Sequence, residues 1–441
     1  MTVAIVLQFV VVLAAIWMGA RYSGVGLGLW GAVGLLALIV FFGVNPTSPP
    51  IDVMLIILAV IMAASVMDAA GGIDFLVRIA ERIIRANPKY VTIVAPLTTW
   101  SFTFVAGTGH IVYPLLPVIY ETAHQSGIRP ERPMAVATIA SQQAITASPV
   151  AAATAAMIGL FAEKGLTQWS LPQILMICVP ATLCGVLAAA IISMFVGKDL
   201  ADDPEYQMRL GAGKVPAPKA AGERPPLKPA AKRSAYLFLV GVALVVLFGF
   251  FPELRTLPGA KGPLAMPIVI EVIMLAIAAI MLLVTKVNVD EVPKTPTLRA
   301  GVVAVIGIFG LAWLGDSFIA ANQNVIVPAI GHLTEAAPWT FAFGLFFASV
   351  LLYSQAATTR ALMPLGIALG IPPQFLIAMF PSVNGYFFIP TYGSLIAAIN
   401  FDLSGTTKIG KYVLNHSFMI PGLVATAVAV IVGLFLAKVM F

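Results

Sequence analysis

Apolar residues run in long blocks along this chain and rarely alternate with polar ones. Blocks long enough to cross a ~30 Å hydrocarbon core as a helix occupy about residues 3–20, 24–43, 51–70, 171–196, 235–252, 266–285, 300–320 and 413–440. Four further blocks are apolar but interrupted. Residues 90–123 break at Ala106-Gly107-Thr108-Gly109-His110, and residues 134–163 at Thr146-Ala147-Ser148-Pro149. In the second half, residues 338–370 break at Ser354-Gln355-Ala356-Ala357-Thr358-Thr359, and residues 374–399 at Ile389-Pro390-Thr391-Tyr392-Gly393-Ser394. Each half thus reads as three spans, a connecting segment (72–89 or 321–337), two broken segments and a final span. This order predicts an all-α polytopic membrane protein with two repeats, 1–197 and 235–441, joined by a hydrophilic segment, 198–234. If the first broken segment of each half is a re-entrant hairpin, each half crosses about five times, and an odd number inverts the second half relative to the first.

Composition agrees with this reading and excludes a soluble domain: 60% of the 441 residues are hydrophobic, 10% are charged, and the mean hydropathy is +0.99. The net charge of +6 alone would admit a nucleic-acid partner, but the placement of the basic residues points to membrane topology instead. With the N-terminus outside, 20 of the 25 Lys and Arg fall on the cytoplasmic face; Lys164, Arg255, Lys261 and Lys438 fall outside, and Arg360 lies within the membrane. Both termini are therefore expected in the periplasm of a bacterial inner-membrane protein. The run from Val3 to Ala20 has no basic residue before it and reads as a retained helix, not a signal peptide. Cys178 and Cys184 lie six apart in one helix, on different faces, and form neither a mutual disulfide nor a metal motif. The 198–234 segment, rich in Pro, Ala and Lys, reads as a flexible cytoplasmic linker.

The chain carries no zincin motif, nucleophile elbow or phosphate loop, so no enzyme is indicated. Gly26-Leu27-Gly28-Leu29-Trp30-Gly31 matches the dinucleotide fingerprint but sits in an apolar helix with no strand before it. Gly24 and Gly28 read better as points where a neighbouring helix approaches closely. The breaks carry the chemistry: irregular backbone at membrane depth survives only when buried or lining a cavity, and paired breaks in corresponding positions point to a transporter site. Half-helix N-termini with Thr and Ser hydroxyls would cradle carboxylates. The expected site brings Thr108, Gly109, His110, Thr146 and Ser148 of the first half to Ser354, Gln355, Thr358, Arg360, Thr391, Tyr392 and Ser394 of the second. Arg360 costs roughly 2.5–3.5 kcal/mol on insertion scales, and is expected to meet a substrate carboxylate; the competing pairing is with Asp316. His110 reads equally as a donor, a proton shuttle or a packing residue. Asp316 and Glu271 lie near predicted helix ends, which favours structural roles. Arg78, Arg82 and Arg85 share one side of an amphipathic interfacial segment.

The stretches Arg85-Ala86-Asn87-Pro88-Lys89-Tyr90-Val91, Gly107-Thr108-Gly109-His110, Arg129-Pro130-Glu131-Arg132-Pro133, Ala147-Ser148-Pro149, Ser354-Gln355-Ala356-Ala357, Pro390-Thr391-Tyr392 and Ser404-Gly405-Thr406-Thr407 resemble the anaerobic C4-dicarboxylate transporter (Dcu) family, in order over essentially the whole chain. The resemblance implies exchange or uptake of fumarate, malate, succinate and aspartate across a bacterial inner membrane by alternating access. It also implies a scaffold domain and a moving, elevator-type transport domain, usually as a homodimer, with no cofactor. The basic residue at 360 is similar to the DcuA-type branch, whereas Gly393 stands where the family usually has a second proline. The sequence leaves the coupling ion, any metal and any sensor-kinase partner open. The rival classes are a channel or carboxylate sensor without coupled transport, and an intramembrane enzyme, which lacks a second acid facing Asp316.

Overall fold

Every uninterrupted apolar block folds as a helix, because a peptide with no water at hand satisfies its N–H and C=O groups within the segment. The computed structural model describes residues 3–22, 24–215, 226–260, 262–352, 354–390, 392–412 and 414–441. Among them there is no β-strand, only a single antiparallel bridge between Ile409 and His416.

The first half begins with α1 (Val3–Tyr22), α2 (Gly26–Phe42) and α3 (Ile51–Ala69), followed by the amphipathic α4 (Gly72–Ala86). The first broken segment is α5 (Val91–Ala106), a short turn at Gly109–Ile111, and α6 (Val112–Gln125). The second is α7 (Glu131–Ile145) and α8 (Ala152–Glu163), and α9 (Leu171–Ser193) closes the half. After α10 (Pro204–Gly211), the order recurs with α11 (Ala231–Phe250), α12 (Met266–Thr285) and α13 (Pro296–Gly307), which runs through a π turn at Ile308–Ala312 into α14 (Trp313–Ala336). Then come α15 (Phe341–Leu352) with α16 (Gln355–Ala368), α17 (Pro373–Met379) with a 3₁₀ run at Phe380–Phe387 and α18 (Gly393–Phe401), and finally α19 (Met419–Met440).

Six helices among the described residues are long and apolar enough to span a bilayer: α3, α9, α11, α12, the α13–α14 unit and α19. Outward faces of α1, α2, α12 and α19 show large apolar side chains, among them Val40, Phe41, Leu283, Ile431 and Phe435, as a lipid-facing surface does. Corresponding elements make corresponding contacts. α5 packs on α7 as α15 packs on the 380–387 run, and α6 packs on α18 as α16 packs on α8. The two closing helices, α9 and α19, pack on each other, with Gly185 so close to Ala425 that a Cβ would meet its carbonyl oxygen at 2.3 Å.

Several boundaries differ from the sequence reading. α19 starts at Met419 instead of about 413, because Asp402 gathers the preceding loop: it accepts from the Ser404 N–H at 3.0 Å and the Thr406 hydroxyl at 2.8 Å. The connecting segment 321–337 is continuous with α14. The helix leading into the last break tightens to 3₁₀ geometry from Phe380 to Phe387, before α18 starts at Gly393. Gly28 does permit a close helix approach, but a Cβ on Gly24 would meet nothing within 4 Å; Gly24, at φ +53°, serves the turn between α1 and α2.

Part of the 198–234 segment is also structured. Asp203 caps α10, accepting from the Glu205 and Tyr206 N–H groups at 2.9 and 3.2 Å and from the Arg129 guanidinium. Arg132 binds Asp199 at 2.6 Å, and Tyr206 meets His124 at 2.8 Å, so the helix is pinned to the α6–α7 loop. Desolvation pushes the Asp203 carboxyl up, but the Tyr206 N–H, the Arg129 guanidinium and the Glu205 N–H together hold it below 3.8. A depressed carboxylate contributes stability above its unfolded value and loses it as pH falls through the lower native one. The contribution of Asp203 to docking α10 is therefore expected to be fully present above the ordinary carboxylate value and to be lost as pH falls through the lowered one; hydrogen exchange at Gln207 and Arg209 against pH checks this.

Candidate functional site

The four breaks leave four helices that begin inside the protein: α6 through its leading turn, α8, α16 and α18. The residues at their starts line one cavity of about 170 Å³. Thr108, Gly109 and His110 come from the first, Ala152 and Ala153 from the second, Ser354, Gln355 and Ala356 from the third, and Tyr392 from the N-cap of the fourth. Side chains of α3 (Val60, Ile61, Ala64) and α13 (Thr297, Ala300, Ala304) close the wall opposite.

The leading N–H groups of a helix have no intrahelical acceptor, and the aligned peptides place partial positive charge there. Four such ends on one cavity make a site for anions without any cationic side chain. Indeed no Lys or Arg among the described residues lines it. Two ends are built alike in the two halves. Thr108 is extended (φ −139°, ψ 133°) and its hydroxyl oxygen accepts from the His110 N–H at 3.3 Å; Ser354 is extended (φ −150°, ψ 117°) and accepts from the Ala357 N–H at 3.2 Å. Neither hydroxyl proton has a protein acceptor among the described residues, so each is available to a ligand oxygen.

Gly107 makes the first of these ends possible. It sits at φ +68°, and a Cβ there would meet the Val150 carbonyl oxygen at 2.6 Å, where the 146–151 break passes. Gly107→Ala is expected to destabilise the protein by about 1–3 kcal/mol and to displace Thr108 from the cavity; a thermal unfolding curve and a flux assay on the same preparation check both effects.

The expected site residues divide into two groups. Thr108, Gly109, His110, Ser354, Gln355 and Tyr392 line the cavity, and the His110 ring stacks on Tyr113 with centroids 5.9 Å apart. Thr146, Ser148, Thr358 and Ser394 are buried behind the wall. The Thr146 hydroxyl donates to the Gln143 carbonyl at 2.9 Å and that of Thr358 to the Ser354 carbonyl at 2.8 Å, while Ser148 accepts from the Val150 N–H at 3.3 Å. These hydroxyls satisfy backbone or neighbouring groups that the breaks expose. Thr391 lies outside the described residues.

Arg360 departs from the expected arrangement. It is 1% exposed and does not line the cavity. Its guanidinium bonds Glu163 at 3.0 Å and Asp316 at 3.1 Å, so the protein itself supplies the counter-charges that the sequence reading sought in a substrate. Asp316 was the competing partner in sequence; Glu163, at the end of α8, adds a second from far along the chain.

Sequence reasoning missed the neutral network behind Gln355. The Gln355 side-chain N–H₂ lies 2.7 Å from the Tyr386 hydroxyl and 3.2 Å from Asn384 Oδ1. The Gln142 N–H₂ donates to Ser394 Oγ at 3.0 Å, and Gln143 donates to the Thr426 hydroxyl at 2.9 Å. Its signal was the polar run Ser141-Gln142-Gln143 and the lone Asn384, all inside apolar blocks. Among the described residues no three His, Cys, Asp or Glu are grouped to hold a metal ion, and both cysteines are free.

The profile of the anaerobic C4-dicarboxylate membrane transporters, which comprises DcuA and DcuB, matches residues 4–441. The chain belongs to the Dcu family. It is 42% identical over 443 residues to the C4-dicarboxylate transporter DcuA of Escherichia coli, covering 99% of this chain and 100% of that one. Against DcuA of Wolinella succinogenes the identity is 41% over 442 residues, with 99% and 100% covered, and against the anaerobic C4-dicarboxylate transporter DcuB of Escherichia coli it is 39% over 433 residues, with 97% of each covered. Among solved structures, the fold is similar to the YdaH transporter of Alcanivorax borkumensis (TM-score 0.57, 14% identity, 93% of this chain and 89% of that one) and to MtrF of Neisseria gonorrhoeae (TM-score 0.54, 14% identity, 92% and 84%). As a Dcu family member the protein is a membrane transporter and not an enzyme.

Proposed function

We propose that the protein exchanges or takes up C4-dicarboxylates, with fumarate, malate, succinate and aspartate as its substrates, by alternating access across a bacterial inner membrane. The observation that carries this reading is the meeting of four helix N-termini and the Thr108 and Ser354 hydroxyls on one cavity that, among the described residues, no Lys or Arg lines. Two carboxylates at the ends of a four-carbon chain, with two carbons between them, need two donor sets facing each other. The Thr108–Gly109 end serves one and the Ser354–Ala356 end the other, each carboxylate accepting backbone N–H and hydroxyl hydrogen bonds. Because the two ends belong to different halves of the chain, a dicarboxylate bridges them and a monocarboxylate fills only one.

The matching contacts of the two halves support inverted repeats, in which the broken segments move as an elevator-type transport domain against a scaffold and both termini face the periplasm. A homodimer in the bilayer suits that mechanics. By the positive-inside count, single cysteines at Pro218 and Lys408 are expected to label from the cytoplasm and one at Phe441 from outside, and labelling of Pro218 and Phe441 from the same side removes the inverted arrangement.

The test of transport is counterflow in proteoliposomes holding the purified protein. Labelled succinate is expected to accumulate against unlabelled internal fumarate, with saturable initial rates and little inhibition by butyrate. Rates that rise without saturation would make the protein a channel, and absence of flux would remove the reading.

A further inference from the structure

The orientation of the amides behind the cavity follows from one fixed group. The Pro381 carbonyl can only accept, so the Asn384 side-chain N–H₂, 3.0 Å away, donates to it. That turns Asn384 Oδ1 toward Gln355, and the Gln355 atom 3.2 Å from it must be the N–H₂ nitrogen. The same nitrogen lies 2.7 Å from the Tyr386 hydroxyl and 3.4 Å from Gln142 Oε1. The Tyr386 hydroxyl donates in turn to Gln142 Oε1, which leaves the Gln142 N–H₂ for Ser394. Tyr386 and Asn384 are 1% exposed, so water does not compete for these bonds. At the end of this relay one polar atom is left over. Gln355 Oε1 has no donor among the described residues, and Gln355 lines the cavity.

A carbonyl oxygen held in this way repels a carboxylate and welcomes a hydroxyl or ammonium hydrogen. We propose that Gln355 is the specificity-determining residue of the cavity, its Oε1 accepting a hydrogen bond from a hydroxyl or ammonium group on C2 of the dicarboxylate, with Asn384 and Tyr386 as positioning residues that fix its amide. The proposal rests on the reading of the cavity as the dicarboxylate site. It names the favoured substrates as 2-hydroxy and 2-amino C4-dicarboxylates over the unsubstituted acids, which leave the oxygen without a partner.

Competition in proteoliposomes tests this. Exchange of labelled fumarate is inhibited by succinate, L-malate and L-aspartate, and the half-inhibiting concentrations are compared within each protein. In the wild type, malate and aspartate are expected to inhibit at concentrations roughly three- to tenfold below that of succinate, as one added hydrogen bond allows. Gln355→Met is expected to bring the ratio near one, because it keeps the volume and removes the acceptor. Tyr386→Phe is expected to reduce the ratio, because the amide is freed to turn, an effect that loss of stability alone does not produce. A wild-type ratio near one, or a ratio unchanged in both variants, overturns the proposal. Absence of any fumarate exchange by the wild type overturns the dicarboxylate reading itself, and a change in all three affinities by a common factor assigns Gln355 and Tyr386 to general binding.

Discussion

Arg360→Ala is expected to destabilise the folded protein by about 3–5 kcal/mol, the cost of leaving buried charge without its partner. The guanidinium is 1% exposed and holds Glu163 of α8 at 3.0 Å and Asp316 of α14 at 3.1 Å. Alanine removes the cation that bridges the two carboxylates and leaves them facing each other, the Asp316 one largely shielded from water. Three segments distant in sequence lose a common tie. Lys at this position keeps the charge but not the fork that reaches two carboxylates at once, so Arg360→Lys is expected to fall between the two. The triple replacement Arg360→Met, Asp316→Asn and Glu163→Gln is expected to recover most of the loss, since no charge is then stranded. Thermal unfolding in detergent checks the series. Full stability of Arg360→Ala together with loss of succinate affinity would return Arg360 to the substrate site.

The second large effect is expected at Gly28. A Cβ there would meet the Ile306 carbonyl oxygen at 1.9 Å, and a Cβ on Gly310 would meet the Gly28 oxygen at 1.7 Å. The backbones of α2 and of the π turn at 308–312 touch with no side chain between them, a contact that small residues make possible in membrane helices. Gly28→Ala must push α2 away from α13 and α14, and nothing at the contact is a flexible side-chain end that can yield. The expected loss is at or above the upper end of the roughly 1–3 kcal/mol for overpacking, read as a lowered unfolding temperature. Gly24→Ala, beside open space but at positive φ, is expected to cost only about 1 kcal/mol.

The contrast between these two glycines marks what was legible in the sequence. Apolar block length gave the helices, and the interruptions at Gly107 and Ser354 gave the two capped ends of the cavity, because a break in hydrocarbon must find its hydrogen bonds somewhere. The positions of Thr108, His110, Gln355 and Tyr392 on one wall follow from that logic. Thr146, Thr358 and Ser394 carried the same signal, yet their hydroxyls face carbonyls or amides behind the wall; a polar residue in a break advertises a need for a partner and not the direction of that partner. Arg360 illustrates the limit most directly. Its burial was readable, but Glu163 lies 197 residues away and ends a helix whose face toward α16 only the packing reveals. The network of Gln142, Gln143, Tyr386 and Asn384 was out of reach for a similar reason, since it joins Gln142 to Tyr386 and Gln143 to Asn384, 244 and 241 residues apart. The docking of α10 escaped because Asp199, Asp203 and Tyr206 sit in a stretch whose composition reads as linker, and composition does not register a basic loop waiting at Arg129 and Arg132.

The central claim is that a dicarboxylate lies between the Thr108 and Ser354 helix ends. Its most direct test is substrate protection of Thr108→Cys and Ser354→Cys, each made in protein whose exposed Cys184 is replaced by Ser; Cys178 is buried and stays. The rate of reaction with a small charged thiol reagent is measured with and without saturating succinate, with butyrate as the one-carboxylate control. Succinate is expected to slow labelling at both positions and butyrate to slow it far less. Labelling at both positions that proceeds at the same rate in saturating succinate as in its absence, in protein that still transports, would contradict the account.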